Sequence, residues 1–426
     1  MLDRADVVIV TPDYLSSTPR VVREATALSD AGLKVAVVHG AGPLEQLREA
    51  DRRLLLSRPF VACPISRSPR GTEGLFHALS GLRHRVAKRL APLVGESAPG
   101  RVLHSWASSR IGPELARAAA RIQAPLYIGH YPGGLVAAAS AARRRGGRLG
   151  YDAEDLHAGE THTEQGRHAA RAARIEARLL PICSSVTASS LDIAEELVMR
   201  YRIPAPLVVH NCPDRVERAH LGQRRDPTPR TSFGWFSQTI GLDRGLQTAI
   251  RALGLVGAPT ELHLRGSCAP EVRDVLRRLV VEHAPACRLW LHPPAHPDDL
   301  LCSVAEQDVG LALEPGGTLA NRLAASNKLF AYLAAGMAVV ATSTPGQVRV
   351  LAASPGAGRV CRPEDAADLA RAIRELLAPG ALGEARAAAR HAAATRWRYE
   401  AEARDHVEAV LQLVGRACGS SSRDRP

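Results

Sequence analysis

The stretch from Asp152 to Glu164 holds the densest set of ionisable side chains in the sequence: Asp152, Glu154, Asp155, His157 and Glu160, with His162 and Glu164 close behind. So many such groups in one loop are costly to pack unless they are solvated or used. Carboxylates beside imidazoles can act as general bases, bind sugar hydroxyls or hold a divalent metal, although this spacing matches no strong metal motif. The plainer alternative is that Glu154 caps the following helix and the rest face water. A second constellation is Ser326-Asn327-Lys328, ahead of the apolar run Leu329 to Gly336. Ser326 or Asn327 can cap a helix there, whose free N–H groups make an anion site. Lys328 adds a full positive charge in the first turn, where it opposes the helix dipole and so calls for a reason. It is one of only three lysines, with Lys34 and Lys88, though an incidental surface lysine is the simpler reading. Arg244, opening the run Asp243 to Ile250, has similar logic. Two cations near helix N-termini suit a diphosphate, each contributing on the order of 1–3 kcal/mol.

These groups need elements to hold them. Val7 to Val10 is a β-branched run that suits a strand buried on both faces. Thr18 is placed as an N-cap, Pro19 at the first helical position, and Gly32 closes the helix before the strand Val35 to Val38. This βαβ unit implies a parallel sheet. Further strands are predicted at Leu126 to His130, Arg148 to Asp152, Ser185 to Ser189 and Leu207 to His210. A Pro- and Arg-rich linker runs from Pro213 to Thr231, and the alternation then restarts. Its strands are Phe233 to Phe236, Glu261 to Leu264, Arg288 to Leu291, Val309 to Leu313 and Val339 to Thr342. A helix is predicted over Pro363 to Leu377, and a last one from about Arg396 to Val414, before a polar tail from Gly419 to Pro426. Ligands in open parallel sheets bind beyond the carboxyl ends of strands. That rule picks out His130, the acidic cluster, Gln238 and Thr239 with Arg244, and Glu314 with Asn327 and Lys328.

Length and composition narrow the classes. A chain of 426 residues suits two domains of roughly 150 to 200 residues each. With 23% charged and 46% hydrophobic residues, wholesale disorder and fibrous architectures are excluded. No apolar run approaches the roughly 20 residues of a bilayer span, and the N-terminus reads as no secretory signal. The net charge of +12 is almost all arginine, a skew that a GC-rich genome explains. Aromatic residues are only 4% and do not interleave with the arginines, which argues against nucleic acid as a partner. The eight cysteines form no Cys-x-x-Cys pair, consistent with a reduced cytoplasmic protein. Residues 66 to 95 are the odd segment. Leu75, Leu79, Leu82, Val86 and Leu90 recur at helical spacing beside Arg83, Arg85, Lys88 and Arg89. Such a helix either covers its own domain or lies on an anionic membrane surface as a peripheral contact.

No Gly-x-Gly-x-x-Gly fingerprint and no Gly-x-x-x-x-Gly-Lys-Ser/Thr loop is present, so dehydrogenase and P-loop NTPase readings lose support. Instead, Pro19-Arg-Val-Val-Arg-Glu-Ala-Thr-Ala-Leu-Ser-Asp-Ala-Gly32 resembles the first helix of GT-B-fold glycosyltransferases of the large retaining family four. Val186-Thr-Ala-Ser-Ser190 and Val208-Val-His-Asn211 are similar to the last strands of their acceptor domain. Phe233 to Gly245, Asn327-Lys-Leu-Phe-Ala-Tyr-Leu-Ala-Ala-Gly336 and Ala341-Thr-Ser-Thr-Pro-Gly-Gln347 are similar to their donor-domain motifs. The resemblance spans nearly the whole chain in the right order.

The resemblance implies two Rossmann-like α/β domains facing each other across a cleft: residues 1–212 on the acceptor side, with a returning helix at 396–416, a linker at 213–230, and a nucleotide-sugar domain at 231–395. The implied activity is transfer of a sugar, of hexosyl type, from a nucleoside-diphosphate sugar to a hydroxyl acceptor, with retention and without a metal or other cofactor. Arg244 and Lys328 match diphosphate-binding positions, and Asn327 with the amides after it is assigned beside them, while Gln238, Thr239 and Glu314 would line the donor pocket. Glu154, Asp155 and His157 would be catalytic, with His130 and Glu160 on the acceptor side. Departures accompany the match. The family's Glu-x7-Glu pair falls on Leu323 and Ala331, its usual basic residue on Thr239, and its acceptor-side His on Glu154. Those departures keep two other readings open, a non-catalytic partner subunit and a sugar-nucleotide epimerase.

Overall fold

The computed structural model describes residues 2–66, 74–94, 97–159, 163–219, 221 and 230–415. Glu160 and the predicted tail from Gly419 lie outside them. The chain divides into two compact units. The first takes in the residues up to Ala188, Ile193–Val209 and those from Ala403 onward, and the second takes in Ser189–Asp192 and His210–Glu402.

The first unit is built on seven strands: β1 Val7–Thr11, β2 Val35–Ala41, β3 Val61–Ser66, β4 Leu126–His130, β5 Arg148–Ala153, β6 Ser185–Ala188 and β7 Leu207–Val208. They lie in the order β3-β2-β1-β4-β5-β6-β7 and pair in parallel throughout. The second has six: β8 Thr231–Ile240, β9 Thr260–Cys268, β10 Cys287–His292, β11 Val309–Ala312, β12 Ala338–Thr342 and β13 Gly358–Cys361. Their order is β10-β9-β8-β11-β12-β13, again all parallel. Both sheets reverse direction of winding beside their first strand, between β1 and β4 and between β8 and β11. In such sheets a ligand crevice opens beyond the carboxyl ends at that point.

Continuous apolar runs form the central strands because helices cover both faces; Val7, Val8, Ile9 and Val10 are all buried. The first helix runs Pro19–Asp30, with Pro19 at its start and Gly32 in the left-handed region at φ +84° beyond its end. Thr18 holds the cap position, yet its hydroxyl donates back to the Tyr14 carbonyl at 2.9 Å instead of receiving a helix N–H.

Four expectations change. β8 runs on through a bulge between Phe236 and Thr239 to pair with Ser267 and Cys268 of β9, so Gln238 and Thr239 are exposed strand residues, not loop. The helix expected from Pro363 begins at Ala366, because Asp365 caps it by accepting from the Asp368 N–H. Part of the expected linker is a short helix, Arg215–Ala219, with Asp214 and Glu217 capping each other's N–H groups. The last helix is broken: Tyr399–Glu402 belongs to the second unit, and only Arg404–Leu413 returns to the first, where Val410 and Leu411 join its core. Among the described residues no helix is long and apolar enough to cross a membrane.

Candidate functional site

In the first unit, a cavity of about 420 Å³ opens at the switch point. Its walls include Asp13 after β1, Tyr131 and Gly133 after β4, His157 after β5, and Arg110 and Arg171 from flanking segments. A volume of that order suits a small polar ligand. The turn from β4 into the Tyr131–Arg145 helix is tight. Tyr131 is held at φ +60°, a conformation that costs a non-glycine residue of the order of 1–2 kcal/mol. A Cβ on Gly134 would stand 2.3 Å from the Val10 carbonyl oxygen, so only glycine lets this turn seat on β1. The strain sets the Tyr131 ring 5.5 Å from that of His157 and lets its hydroxyl donate to Glu154 Oε2 at 3.0 Å.

Glu154 therefore sits behind Tyr131 and does not itself form the wall. Burial pushes its carboxyl above the ordinary carboxylate range, with Asp155 and Asp152 adding to the rise against Arg20 and His130. Asp155 is exposed, and His157 is buried in the cavity wall. Asp13, Tyr131, Arg110 and Arg171 carry no motif, although Asp13 and Tyr131 do stand at strand ends.

His130 occupies a different place from the acceptor-side wall expected of it. It is 0% exposed, and its Nε2 donates to Glu24 Oε2 at 2.5 Å while its Nδ1 lies 3.2 Å from Asp152 Oδ2. Arg20 grips Asp152 with two bonds of 2.6 and 2.7 Å, and Thr187 donates to the same carboxylate. Glu24 also accepts from His406 Nε2 at 2.7 Å. Burial alone would push the Glu24 carboxyl up, but the charges and hydrogen bonds of His130 and His406 outweigh it and hold it far below the ordinary range. Burial alone would likewise lower His130, but Asp152 and Glu24 raise it. Asp152 and His130 thus form a buried brace beneath the β4 and β5 ends, and not the solvated loop that charge density suggested.

In the second unit the corresponding strand ends carry a smaller crevice lined by Gly245, Glu314, Thr342 and Glu364 among others. The helix Asn327–Ala334 starts here. Ser326 stands at its cap position, but the Ser326 hydroxyl donates to Glu314 Oε1 at 2.9 Å, so neither Ser326 nor Asn327 caps with its side chain. Lys328 Nζ lies 3.2 Å from the same oxygen and 5.6 Å from the centre of the Trp235 ring. That carboxylate and ring are the reason a lysine is tolerated against the helix dipole. Glu314 is fixed in turn through its backbone: its N–H donates to Thr342 Oγ1 at 3.0 Å, and Gln347 donates to Thr342. Arg244 is half exposed beside Asp243, ahead of the helix Leu246–Val256, and Asn327 is exposed. Leu323 ends a short helix, and Ala331 is buried in the Asn327–Ala334 helix. Among the described residues no cluster of His, Cys, Asp and Glu side chains is arranged to hold a metal ion.

No protein-family model and no curated protein sequence matches this chain. Solved structures do. HepE from Anabaena, in complex with UDP and glucose, aligns with a TM-score of 0.65 at 14% identity over 96% of this chain and 100% of its own. Sucrose-phosphate synthase from Thermosynechococcus elongatus aligns with a TM-score of 0.65 at 16% identity, over 96% of this chain and 99% of that one. A proposed UDP-N-acetylglucosamine 2-epimerase from Listeria monocytogenes aligns with a TM-score of 0.54 at 12% identity, over 96% of each chain. The fold is GT-B. In this GT-B chain the cavity at β1 and β4 and the Lys328 cluster at β11 and β12 both lie at strand ends of its two Rossmann-like units.

Proposed function

We propose that this chain is a glycosyltransferase moving a hexosyl group from a nucleoside-diphosphate sugar to a hydroxyl acceptor with retention. The observation that carries the reading is the Asn327–Ala334 helix start at a strand end, where Ser326 gives no side-chain cap and Lys328 stands in the first turn, held by Glu314. Fold likeness to HepE in complex with UDP-glucose supports a nucleotide-sugar donor. The anomeric carbon–oxygen bond to the diphosphate breaks, and a bond to the acceptor oxygen forms on the same face. Arg244, Lys328 and the amides after Asn327 meet the charge left on the diphosphate, so the scheme needs no metal. Gln238, Thr239 and Glu314 line the donor side. In the first unit His157 meets the acceptor hydroxyl, Glu154 acts from behind Tyr131 with Asp155 beside it, and this set takes the hydroxyl proton.

A thermal-shift panel of UDP-, GDP- and dTDP-sugars tests the donor. One nucleotide class is expected to stabilise the protein by about 2.7 kcal/mol at a hundredfold excess over its Kd. If no member shifts the melting temperature or is turned over, the non-catalytic partner suggested by Leu323 and Ala331 replaces this reading. Likeness to the proposed epimerase favours one other outcome, a rearranged sugar released with no acceptor present. The acid limb of the turnover profile is a further check. A base must be deprotonated, so turnover is expected to fall as pH drops through the raised Glu154 value, above the ordinary 4.5. Glu154→Gln should lower turnover and flatten that limb, and an unchanged profile removes Glu154 from the proton path.

A further inference from the structure

The segment with helical leucine spacing folds as Gly74–Leu90, but it buries the opposite face from the one its pattern offers. Small residues make the packing against the helix Ala98–Ser108: Ala87, Ala91 and Ala107, with Leu103 against them. Leu79, Leu82, Val86 and Leu90 point outward, with Leu79 56% and Leu82 54% exposed. Leu93, Val102, Trp106 and Ile182 are exposed as well. A soluble surface seldom leaves four large apolar side chains exposed along one helix without a use.

Charge surrounds these apolar side chains. Arg85, Lys88 and Arg89 are exposed on the same helix. Arg83 reaches over Trp106 and is bound by Glu114, so it marks where the helix joins a neighbouring groove. That groove, of about 1030 Å³, is lined by Val102, Trp106, Ile182 and seven arginines; among the described residues no carboxylate lines it, and Glu114 behind it pairs with Arg83 and Arg117. Arg143, Arg144 and Arg148 are exposed along it. It opens beside the N-terminal ends of β5 and β6, at the opposite end of the sheet from the 420 Å³ cavity.

We propose that this face docks on the surface of a bilayer containing anionic lipids, with Leu79, Leu82, Val86, Leu90 and Trp106 entering the headgroup boundary and the arginines of the groove meeting lipid phosphates. Apolar insertion beside a basic rim is the physical signature of an interfacial contact. A second copy of the chain does not fit, because pairing this face with itself would set arginine against arginine. A soluble acidic glycan would use the groove and leave the leucines without a role.

Flotation with vesicles tests this without requiring turnover. Wild-type protein is expected to float with phosphatidylcholine vesicles containing phosphatidylglycerol and not with phosphatidylcholine alone. Arg143→Ser/Arg144→Ser/Arg148→Ser should weaken binding by roughly a hundredfold. Leu79→Ser/Leu82→Ser should weaken it by roughly tenfold or more. All five side chains are exposed, so melting temperature should hold in both variants. The proposal is overturned by failure of the wild type to bind anionic vesicles, or by binding that survives both variants. Loss in the arginine variant alone would leave electrostatic adsorption and overturn the entry of the leucines. A dimer in sedimentation that the leucine variant abolishes would assign the face to self-association.

Discussion

Glu24→Gln is expected to destabilise the first unit by about 3–5 kcal/mol. For a unit of this size that is a fall in melting temperature of roughly 6–20 °C. Among the described residues Glu24 is the carboxylate that bonds both His130 and His406, and none of the three is open to solvent. An amide in its place removes the buried negative charge that both imidazoles bond, while Asp152 stays committed to Arg20. Calorimetry across pH separates this from ordinary packing loss. The Glu24 contribution is complete above the ordinary carboxylate value of 4.5 and is lost as pH falls through its lowered folded value. The His130 contribution is complete below 6.5 and is lost as pH rises through its raised value. Wild-type stability should therefore hold between those limits and decline on both sides. In Glu24→Gln the acid-side share disappears, and the alkaline decline moves to lower pH. A variant within about 1 kcal/mol of wild type would show that the brace is dispensable.

The second large effect concerns turnover. Lys328→Ala is expected to cut it by about 10²–10³-fold, the range for removing one preorganised charge donor from a transition state. Stability should fall less, by about 1–3 kcal/mol, because Glu314 keeps its bond from Ser326 but loses its cation. Glu314→Gln is the informative companion. It too breaks the ion pair, but it releases the lysine, so nucleoside-diphosphate affinity should hold or rise. Wild-type turnover in Lys328→Ala, or equal loss in both variants, would sink the assignment.

Central strands were the most legible part of the fold. Runs such as Val7 to Val10 and Val339 to Thr342 are buried on both faces, so hydrophobicity alone marks them. The strands that escaped are β3 and β13, which lie at sheet edges. β3 contains Pro64, which an edge tolerates, and its residues are only partly buried, so it carries neither an apolar run nor a clean alternation. At the candidate site, the strand-end rule pointed to segments that line the cavity and the crevice. It misjudged His130 and Asp152, because a local count of charges reads as solvation. Their partners, Arg20 and Glu24, sit buried on the first helix, more than a hundred residues away in sequence. Lys328 was legible through its rarity and its position, whereas the carboxylate that holds it comes from another strand end.

The bond between Glu24 and His406 spans 382 residues of chain. A ribosome delivers the first sheet early, yet the partner of its buried carboxylate emerges only after the whole second unit has been made. Until then Glu24 has one imidazole instead of two, and the core lacks Val410 and Leu411. The half that is synthesised first can thus complete its contacts only once everything in between has been translated.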